Sequence, residues 1–296
     1  MQKIWKLKDR KLTLGAQTLV MAIVNITPDS FSDGGSFYSP EAAVEHALCA
    51  LDEGAALLDL GAESTRPGSH AGGASPLVSA DEEQARLLPV VEGILKLRPQ
   101  AVLSIDTYKA ATAKAALAAG AAIVNDVSGL CWEASLAREV AAAQAGIVLS
   151  HTRGLPDEWA TLPALSADAM MEELRTGLQA SVDKALAAGI APEAIVLDPG
   201  YGFGKRNDAN FALLARQAEL LALGYPLLAG LSRKSCLGHA LAPLHGGKAP
   251  APEEREHASV AALVAAILHG AAIVRVHSVR PAVEAACIAD AVRAHQ

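Results

Sequence analysis

The sequence predicts a single (β/α)8 TIM barrel with parallel strands and a short N-terminal hairpin. Eight short apolar runs recur along the 296 residues, and a glycine ends the helical pattern before most of them. The runs are continuously apolar, which indicates burial on both faces and therefore a parallel sheet. Eight such units favour a closed barrel over a doubly wound sheet, and the chain has no G-x-G-x-x-G fingerprint.

The elements follow in a regular order. Weak alternation over residues 4–14 predicts the hairpin, within an N-terminal extension of residues 1–18. Helices are predicted after Ser39, with Pro40 at the first position, and after Ser79, with Glu82 at capping-box spacing. Strands are predicted at 19–24, 57–60, 102–105, 123–124, 147–149, 195–197, 226–228 and 273–274. The polar inserts 62–80 and 239–252 are expected to be loops of the rim, so residues 1–296 form one domain.

Composition excludes several classes of protein. A formal charge of −7 without any Lys/Arg run argues against a nucleic-acid partner. Four widely spaced cysteines fit neither a disulfide framework nor a zinc site and suit a reducing cytoplasm. There is no apolar signal region and no apolar run of membrane-spanning length, so a soluble cytoplasmic protein without a membrane partner is expected.

Most of the predicted strands end in polar residues, and in a parallel barrel these ends meet at one rim, where ligands bind. A single Asp after a strand is usually the cap of the next helix, so the argument rests on their convergence. Asp106, Asn125, Asp198 and Lys234 suit a flat polar heterocycle. A carboxylate accepts two parallel hydrogen bonds from an amino–N–H edge. An amide both donates and accepts, and an ammonium donates to a ring carbonyl or a ring nitrogen.

A second group of residues suits a phosphate-type anion. Arg275 and His277, two residues apart on a strand, are expected to point to the same side. Asn25, at the end of the first strand, and the loop donors Thr65 and Arg66 would join them. A highly charged anion also favours Mg²⁺, which takes oxygen ligands and few protein groups, and Asn25 could supply one carbonyl oxygen.

Two further segments border this rim. The glycines at 200, 202 and 204 lack Walker A spacing and predict a tight turn that brings Phe203 and Lys205 over the rim. Residues 232–235, Ser-Arg-Lys-Ser, are expected to begin a helix and could hold a carboxylate. The absence of G-x-S-x-G gives no support to a serine triad.

Seven motifs follow one another along the chain. They are Asn-Ile-Thr-Pro-Asp-Ser-Phe-Ser-Asp-Gly-Gly (25–35), Glu-Ser-Thr-Arg-Pro-Gly (63–68), Ser-Ile-Asp-Thr (104–107), Asn-Asp-Val-Ser-Gly (125–129), Asp-Pro-Gly-Tyr-Gly-Phe-Gly-Lys (198–205), Gly-Leu-Ser-Arg-Lys-Ser (230–235) and Val-Arg-Val-His (274–277). In this order they are specific, and over roughly residues 15–290 the chain resembles bacterial dihydropteroate synthases, the folate-pathway enzymes that sulfonamides inhibit.

The resemblance implies that 6-hydroxymethyl-7,8-dihydropterin diphosphate and 4-aminobenzoate are joined with release of diphosphate, in a Mg²⁺-dependent transferase reaction. By similarity, the four heterocycle residues bind the pterin, and Asn25, Arg66, Arg275 and His277 serve the diphosphate, with Mg²⁺ on Asn25. The aminobenzoate pocket would comprise Thr65, Pro67, Phe203 and Ser232, and catalytic roles are expected for Asp33, Arg66, Lys234 and Arg275. Members of this family are commonly homodimers.

One departure and two alternatives stay open. Ser278 follows His277 where the family usually has Asp, so the group that orients His277 is not known from sequence. A pterin-dependent methyltransferase would share the barrel and the pterin residues, and a pterin-binding relative without turnover would share both as well. The early loops, 25–35 and 63–68, favour the synthase.

Overall fold

A computed structural model describes residues 3–26, 39–65, 69–73 and 78–295, which form ten strands and nine α-helices. The strands are β1 (Lys3–Lys6), β2 (Lys11–Leu14), β3 (Leu19–Asn25), β4 (Leu57–Gly61), β5 (Leu103–Asp106), β6 (Ile123–Asp126), β7 (Gly146–Ser150), β8 (Ile195–Asp198), β9 (Leu227–Ala229) and β10 (Ala271–Val276). The helices are α1 (Pro40–Asp52), α2 (Ala80–Leu97), α3 (Ala110–Ala118), α4 (Leu136–Ala143), α5 (Ala167–Ala187), α6 (Asn207–Arg216), α7 (Ser235–Leu241), α8 (Glu256–Leu268) and α9 (Val279–Arg293).

Strands β3 to β10 close into a barrel in chain order, with β10 beside β3 and every neighbouring pair parallel. The predicted fold class is thereby confirmed. The helices lie between the strands along the chain, and their apolar faces join the strands in one large buried cluster. Because all eight strands run the same way, their carboxyl ends form a single mouth.

The helix boundaries follow from local chemistry. Ser39 and Ser79 each accept a hydrogen bond from a backbone N–H three residues on, at 3.2 Å, so both predicted N-caps are confirmed. Gly120, just beyond α3, has a φ of 112°, a conformation that favours glycine. Helix α4 differs, because its left-handed residue is Gln144. Within the described ranges, none of the helices has the length and apolar character needed to cross a bilayer.

The predicted N-terminal hairpin is confirmed as the antiparallel pair β1–β2, and it packs against the end of the barrel opposite the mouth. Trp5 is fully buried there and donates a hydrogen bond to the Ala194 carbonyl at 2.8 Å. A Cβ atom on Gly146 would lie 2.4 Å from Leu7 Cδ2, so the hairpin requires glycine at the start of β7. The hairpin fills this end of the barrel, so the mouth is the end that remains open to ligands.

Candidate active site

Polar residues occupy one row across adjacent strands of the mouth. Asn25 of β3 aligns with Gly61 of β4, Gly61 with Asp106 of β5, and Asp106 with Asn125 of β6. A Cβ atom on Gly61 would come within 3.3 Å of Asp106 Cβ, so glycine leaves space for the neighbouring carboxylate. The row brings three of the predicted site residues to the same edge of the barrel.

Arg275, near the end of β10, lies at the centre of an ion-pair network inside the mouth. Its Nε donates to Asp59 Oδ2 at 2.5 Å and its Nη2 donates to Asp106 Oδ2 at 2.7 Å. Asp59 is fully buried and also accepts hydrogen bonds from Ser104 Oγ at 2.6 Å and from Asn125 Nδ2 at 2.9 Å. One buried carboxylate therefore connects side chains from β4, β5, β6 and β10.

Asp59 is the main residue of this network that the sequence analysis does not identify. It lies inside the run 57–60, whose other three residues are leucines, so the run is interpreted as an apolar strand and its one charged residue is not considered. A lone Asp in an otherwise apolar buried strand is a detectable signal, because an unpaired charge is rarely buried in a core.

The pKa values of the network reflect burial opposed by pairing. Burial raises the pKa of Asp106 to about 7, although the positive charge of Arg275 acts against the shift. For Arg275, burial lowers the pKa, but the attraction of Asp59 and Asp106 outweighs it, and the net change is upward. The guanidinium therefore stays charged, while Asp106 changes its protonation state near neutral pH.

Asn125 and Asp198 present acceptor atoms to the mouth. Asn125 Oδ1 is buried and has no hydrogen-bond partner among the described residues, so a donor on a ligand can satisfy it. Asp198, the last residue of β8, accepts a hydrogen bond from the Gly200 N–H at 2.8 Å. Burial raises the pKa of Asp198, and the positive charge of Lys234 opposes that shift.

Lys234 extends from the loop after β9 towards the same carboxylates. Its Nζ lies 3.9 Å from the centre of the Phe203 ring, a cation–π contact. A Cβ atom on Gly202 would come within 3.3 Å of Lys234 Cδ, so glycine keeps the path of this side chain open. Burial lowers the pKa of Lys234 to about 8, with the charge of Asp198 opposing the shift.

His277 is oriented by Ser232. The Ser232 hydroxyl lies 3.0 Å from His277 Nδ1 and accepts a hydrogen bond from the His277 backbone N–H at 3.2 Å. The hydroxyl can donate to an unprotonated Nδ1 or accept from a protonated one while it accepts the backbone N–H, so it orients the ring in either tautomer. Ser278 instead accepts a hydrogen bond from Arg233 Nη2 at 3.2 Å. Ser232 thus takes the orienting position that sequence leaves open.

A strained residue separates Ser232 from Lys234. Arg233 has a φ of 59°, which is unfavourable for a side chain of this size. Two contacts from the neighbouring helix α8 region hold it. The Arg233 N–H donates to Ser259 Oγ at 2.9 Å, and Arg255 Nη1 donates to the Arg233 carbonyl at 3.0 Å. This turn directs Ser232 towards His277 and Lys234 towards Phe203.

The prediction for the glycine-rich turn is right for Phe203 and wrong for Lys205. Phe203 covers Lys234 and packs on Trp159, with their ring centres 5.2 Å apart. Lys205 is buried beneath the turn, where its Nζ donates to the carbonyls of His151, Gly200 and Phe203 at 2.8–3.2 Å. Three converging carbonyls compensate for the lost water around the ammonium, so Lys205 supports the turn from below.

The remaining predicted residues lie at the edge of this network or outside the described ranges. Asn25 and Thr65 are half-buried at the ends of β3 and of the loop segment after β4. Asp33, Arg66 and Pro67 fall outside the described residues. Within the described part of the chain, no three His, Cys, Asp or Glu side chains converge as a metal site.

We predict that Asp59→Asn lowers the free energy of unfolding by about 3 kcal/mol, because Arg275 loses a partner in a buried ion pair. Urea denaturation measures the change. The matched control is Asp52→Asn, since that carboxylate is 67% exposed and accepts from Arg98 at 3.1 Å. We expect the control to change stability by less than about 1 kcal/mol. Equal effects of both substitutions would contradict the central role of Asp59.

Comparison with known proteins identifies the family. A family model described as pterin binding enzyme matches residues 21–277. The dihydropteroate synthase of Mycobacterium leprae is 44% identical over 271 residues, which cover 91% of this chain and 92% of that protein.

Solved structures agree with this assignment. The Xanthomonas albilineans dihydropteroate synthase with 4-aminobenzoic acid is 39% identical, with a TM-score of 0.85, and the match covers 99% of both chains. A structure of the same enzyme in complex with 7,8-dihydropteroate is 38% identical, with a TM-score of 0.82, over 98% of this chain and 99% of that one. The chain therefore belongs to the dihydropteroate synthase family of pterin-binding enzymes.

Proposed function

We propose that this protein is a transferase that condenses 6-hydroxymethyl-7,8-dihydropterin diphosphate with 4-aminobenzoate to 7,8-dihydropteroate and diphosphate. The observation that carries the proposal is the Arg275 network, which joins Asp59, Asp106 and Asn125 in one mouth. The 4-aminobenzoic acid and 7,8-dihydropteroate complexes of the Xanthomonas relative support this choice of substrate and product. The relatives compared above are synthases, which favours this reaction over methyl transfer or binding without turnover.

The pterin ring is held by hydrogen-bond acceptors and donors that match those on its edges. Asp198 accepts from the amino–N–H edge of the ring, Asn125 Oδ1 accepts a further N–H, and Lys234 donates to a ring carbonyl or nitrogen. Asp59, Asp106 and Asp198 face two cations, Arg275 and Lys234. When all five groups are ionised, one negative charge remains, which stabilises positive charge developing on the pterin.

The reaction is a dissociative substitution at the methylene carbon. The bond from this carbon to the diphosphate oxygen breaks with its electron pair, and the amine nitrogen of 4-aminobenzoate then forms the new bond to carbon and loses a proton. Arg275, His277 and Arg66 bind the diphosphate as it departs. Because the aromatic amine is already neutral, no strong base is needed.

Mg²⁺ is the cofactor that fits the departing group. The described residues offer no carboxylate cage, and Mg²⁺ commonly takes one or two protein oxygens together with substrate phosphates and water. The Asn25 carbonyl oxygen at the mouth suits that role. When bound, the ion would neutralise charge on the diphosphate.

The second substrate is assigned to the outer part of the mouth. Thr65, Pro67, Phe203 and Ser232 form the aminobenzoate pocket, and Asp33 and Arg66 act from the two early loops. Phe203 supports this assignment because its ring covers Lys234, which donates to the pterin. Exclusion of water, a competing nucleophile, from the carbon would favour attack by the amine.

We further propose that residues 1–296 act as one pterin-binding domain in a cytoplasmic homodimer. The cysteines support a reducing compartment, since Cys49, Cys131, Cys236 and Cys287 are all free. Exposed Ile288 and Val292, one turn apart on α9, support a contact with a second copy.

The direct test of this function is a turnover assay with purified protein. We expect Mg²⁺-dependent release of diphosphate that requires both the pterin diphosphate and 4-aminobenzoate, with dihydropteroate detected as product. Omitting each substrate in turn is the control. Diphosphate release that is unaffected by omission of 4-aminobenzoate, or absence of dihydropteroate, would contradict the proposal.

The affinity for the pterin is predicted to have a maximum between pH about 7 and about 8. Below that window Asp106 gains a proton, and above it Lys234 loses one, so either change removes a charge from the mouth. Calorimetry with 6-hydroxymethyl-7,8-dihydropterin avoids titration of the diphosphate. Lys234→Arg should remove the decline at high pH, and exposed Lys248→Arg should not. Constant affinity from about pH 6 to about pH 9 would refute this prediction.

A further inference from the structure

A second buried ion cluster lies beside the mouth, outside the Arg275 network. Lys109 Nζ is 2.6 Å from Glu63 Oε2 and 3.2 Å from Glu83 Oε2. The three side chains are only 6%, 7% and 2% exposed. Thr112 Oγ1 donates a further hydrogen bond to Glu83 at 2.7 Å. Neither Lys109 nor these glutamates are used by the mechanism above.

The cluster joins three elements at the start of the loop that follows β4. Glu63 belongs to that loop, two residues before Thr65, while Glu83 lies in the first turn of α2 and Lys109 is the N-cap residue of α3. Arg86, one turn along α2 from Glu83, donates to the Ala62 carbonyl at 3.0 Å. The first residues of the loop are thus in contact with α2, through Arg86, and with the start of α3, through Lys109.

The far part of the same loop approaches Trp132, which packs on Tyr108, the residue before Lys109. Gly72 has a φ of 74°, and a Cβ atom there would lie 2.4 Å from Trp132 Cδ2. The Trp132 ring packs edge-to-face on Tyr108, with centres 5.2 Å apart. Lys109, through Glu63, and Tyr108, through Trp132, are therefore linked to the described parts of the loop at residues 62–65 and 69–73.

Net stability is a weak explanation for such a cluster. A buried ion pair loses its hydration, and apolar residues of the same volume often stabilise a fold equally well. The charges instead restrict the orientation of Glu63, because its buried carboxylate is compensated only when it faces the Lys109 ammonium. That requirement fixes the backbone just before Thr65, which packing alone would leave free to shift.

We propose that Lys109, through Glu63 and Glu83, is a positioning residue that holds Thr65 in place for the amine substrate. Lys109 itself touches neither substrate. The inference rests on the proposed function for the identity of that substrate, but the anchoring of residues 62–65 does not depend on it. Its expected signature is a selective loss of 4-aminobenzoate binding.

The test is steady-state kinetics of Lys109→Met in the complete protein. We expect the KM for 4-aminobenzoate to rise about tenfold or more. The KM for the pterin diphosphate should change by less than about twofold, because Arg66, on the same loop, is proposed to bind the diphosphate as it departs rather than in the ground state. Lys109→Arg should recover most of this loss, since a guanidinium can pair with both glutamates. Glu63→Gln, which keeps the side-chain shape, should reproduce the effect if Lys109→Met folds poorly.

The control and a second measurement make the outcome decisive. Lys114→Met, on the same helix, removes a lysine that is 70% exposed and lies 3.5 Å from Glu139, and it should leave both KM values unchanged. Amide hydrogen exchange in the peptide containing residues 62–65 should become faster in Lys109→Met, whatever the substrates are. Unchanged exchange would overturn the anchoring, and equal rises in both KM values would overturn the selective role. Failure of the wild-type protein to form product would count against the proposed function alone.

Discussion

The ion pairs from Arg275 to Asp59 and Asp106 constrain the geometry of the whole mouth. Arg275 is on β10, whereas its partners are on β4 and β5, so the guanidinium reaches past β3 inside the barrel. Both pairs can form only when these strands keep their register. Asp59 then fixes Asn125 as well, which leaves Asn125 Oδ1 without a hydrogen-bond partner among the described residues. The barrel supplies the rigid strands on which a site of this kind depends.

The mouth combines this rigid interior with supports from the surrounding loops. Arg233 is held in a strained turn so that Ser232 and Lys234 face different partners, and Lys205 stabilises the turn that carries Phe203. Lys109 has the corresponding role beneath the loop after β4. In each case a buried polar contact fixes backbone direction at the rim, where loops otherwise vary in conformation.

The fold was predictable from sequence because the barrel strands are short, mostly apolar runs, and most of these runs are followed closely by a polar residue. The convergence of Asp106, Asn125, Lys234 and Arg275 followed from the barrel, since parallel strands bring their carboxyl ends together. Side-chain direction did not follow. Lys205 turns inwards to three carbonyls, which approach one another only in the folded chain. The pairing of Arg275 with Asp59 likewise depends on how β4 and β10 are positioned in the barrel. No local sequence pattern encodes that arrangement.

The most direct measurement is a crystal structure of the protein soaked with the pterin diphosphate. We expect the ring to lie between Asp198 and Lys234, hydrogen-bonded to Asn125 Oδ1, with the diphosphate directed towards His277 and Asn25. A ring bound elsewhere on the barrel would contradict the claim that these residues share one site. So would a diphosphate on the opposite side of Lys234 from His277.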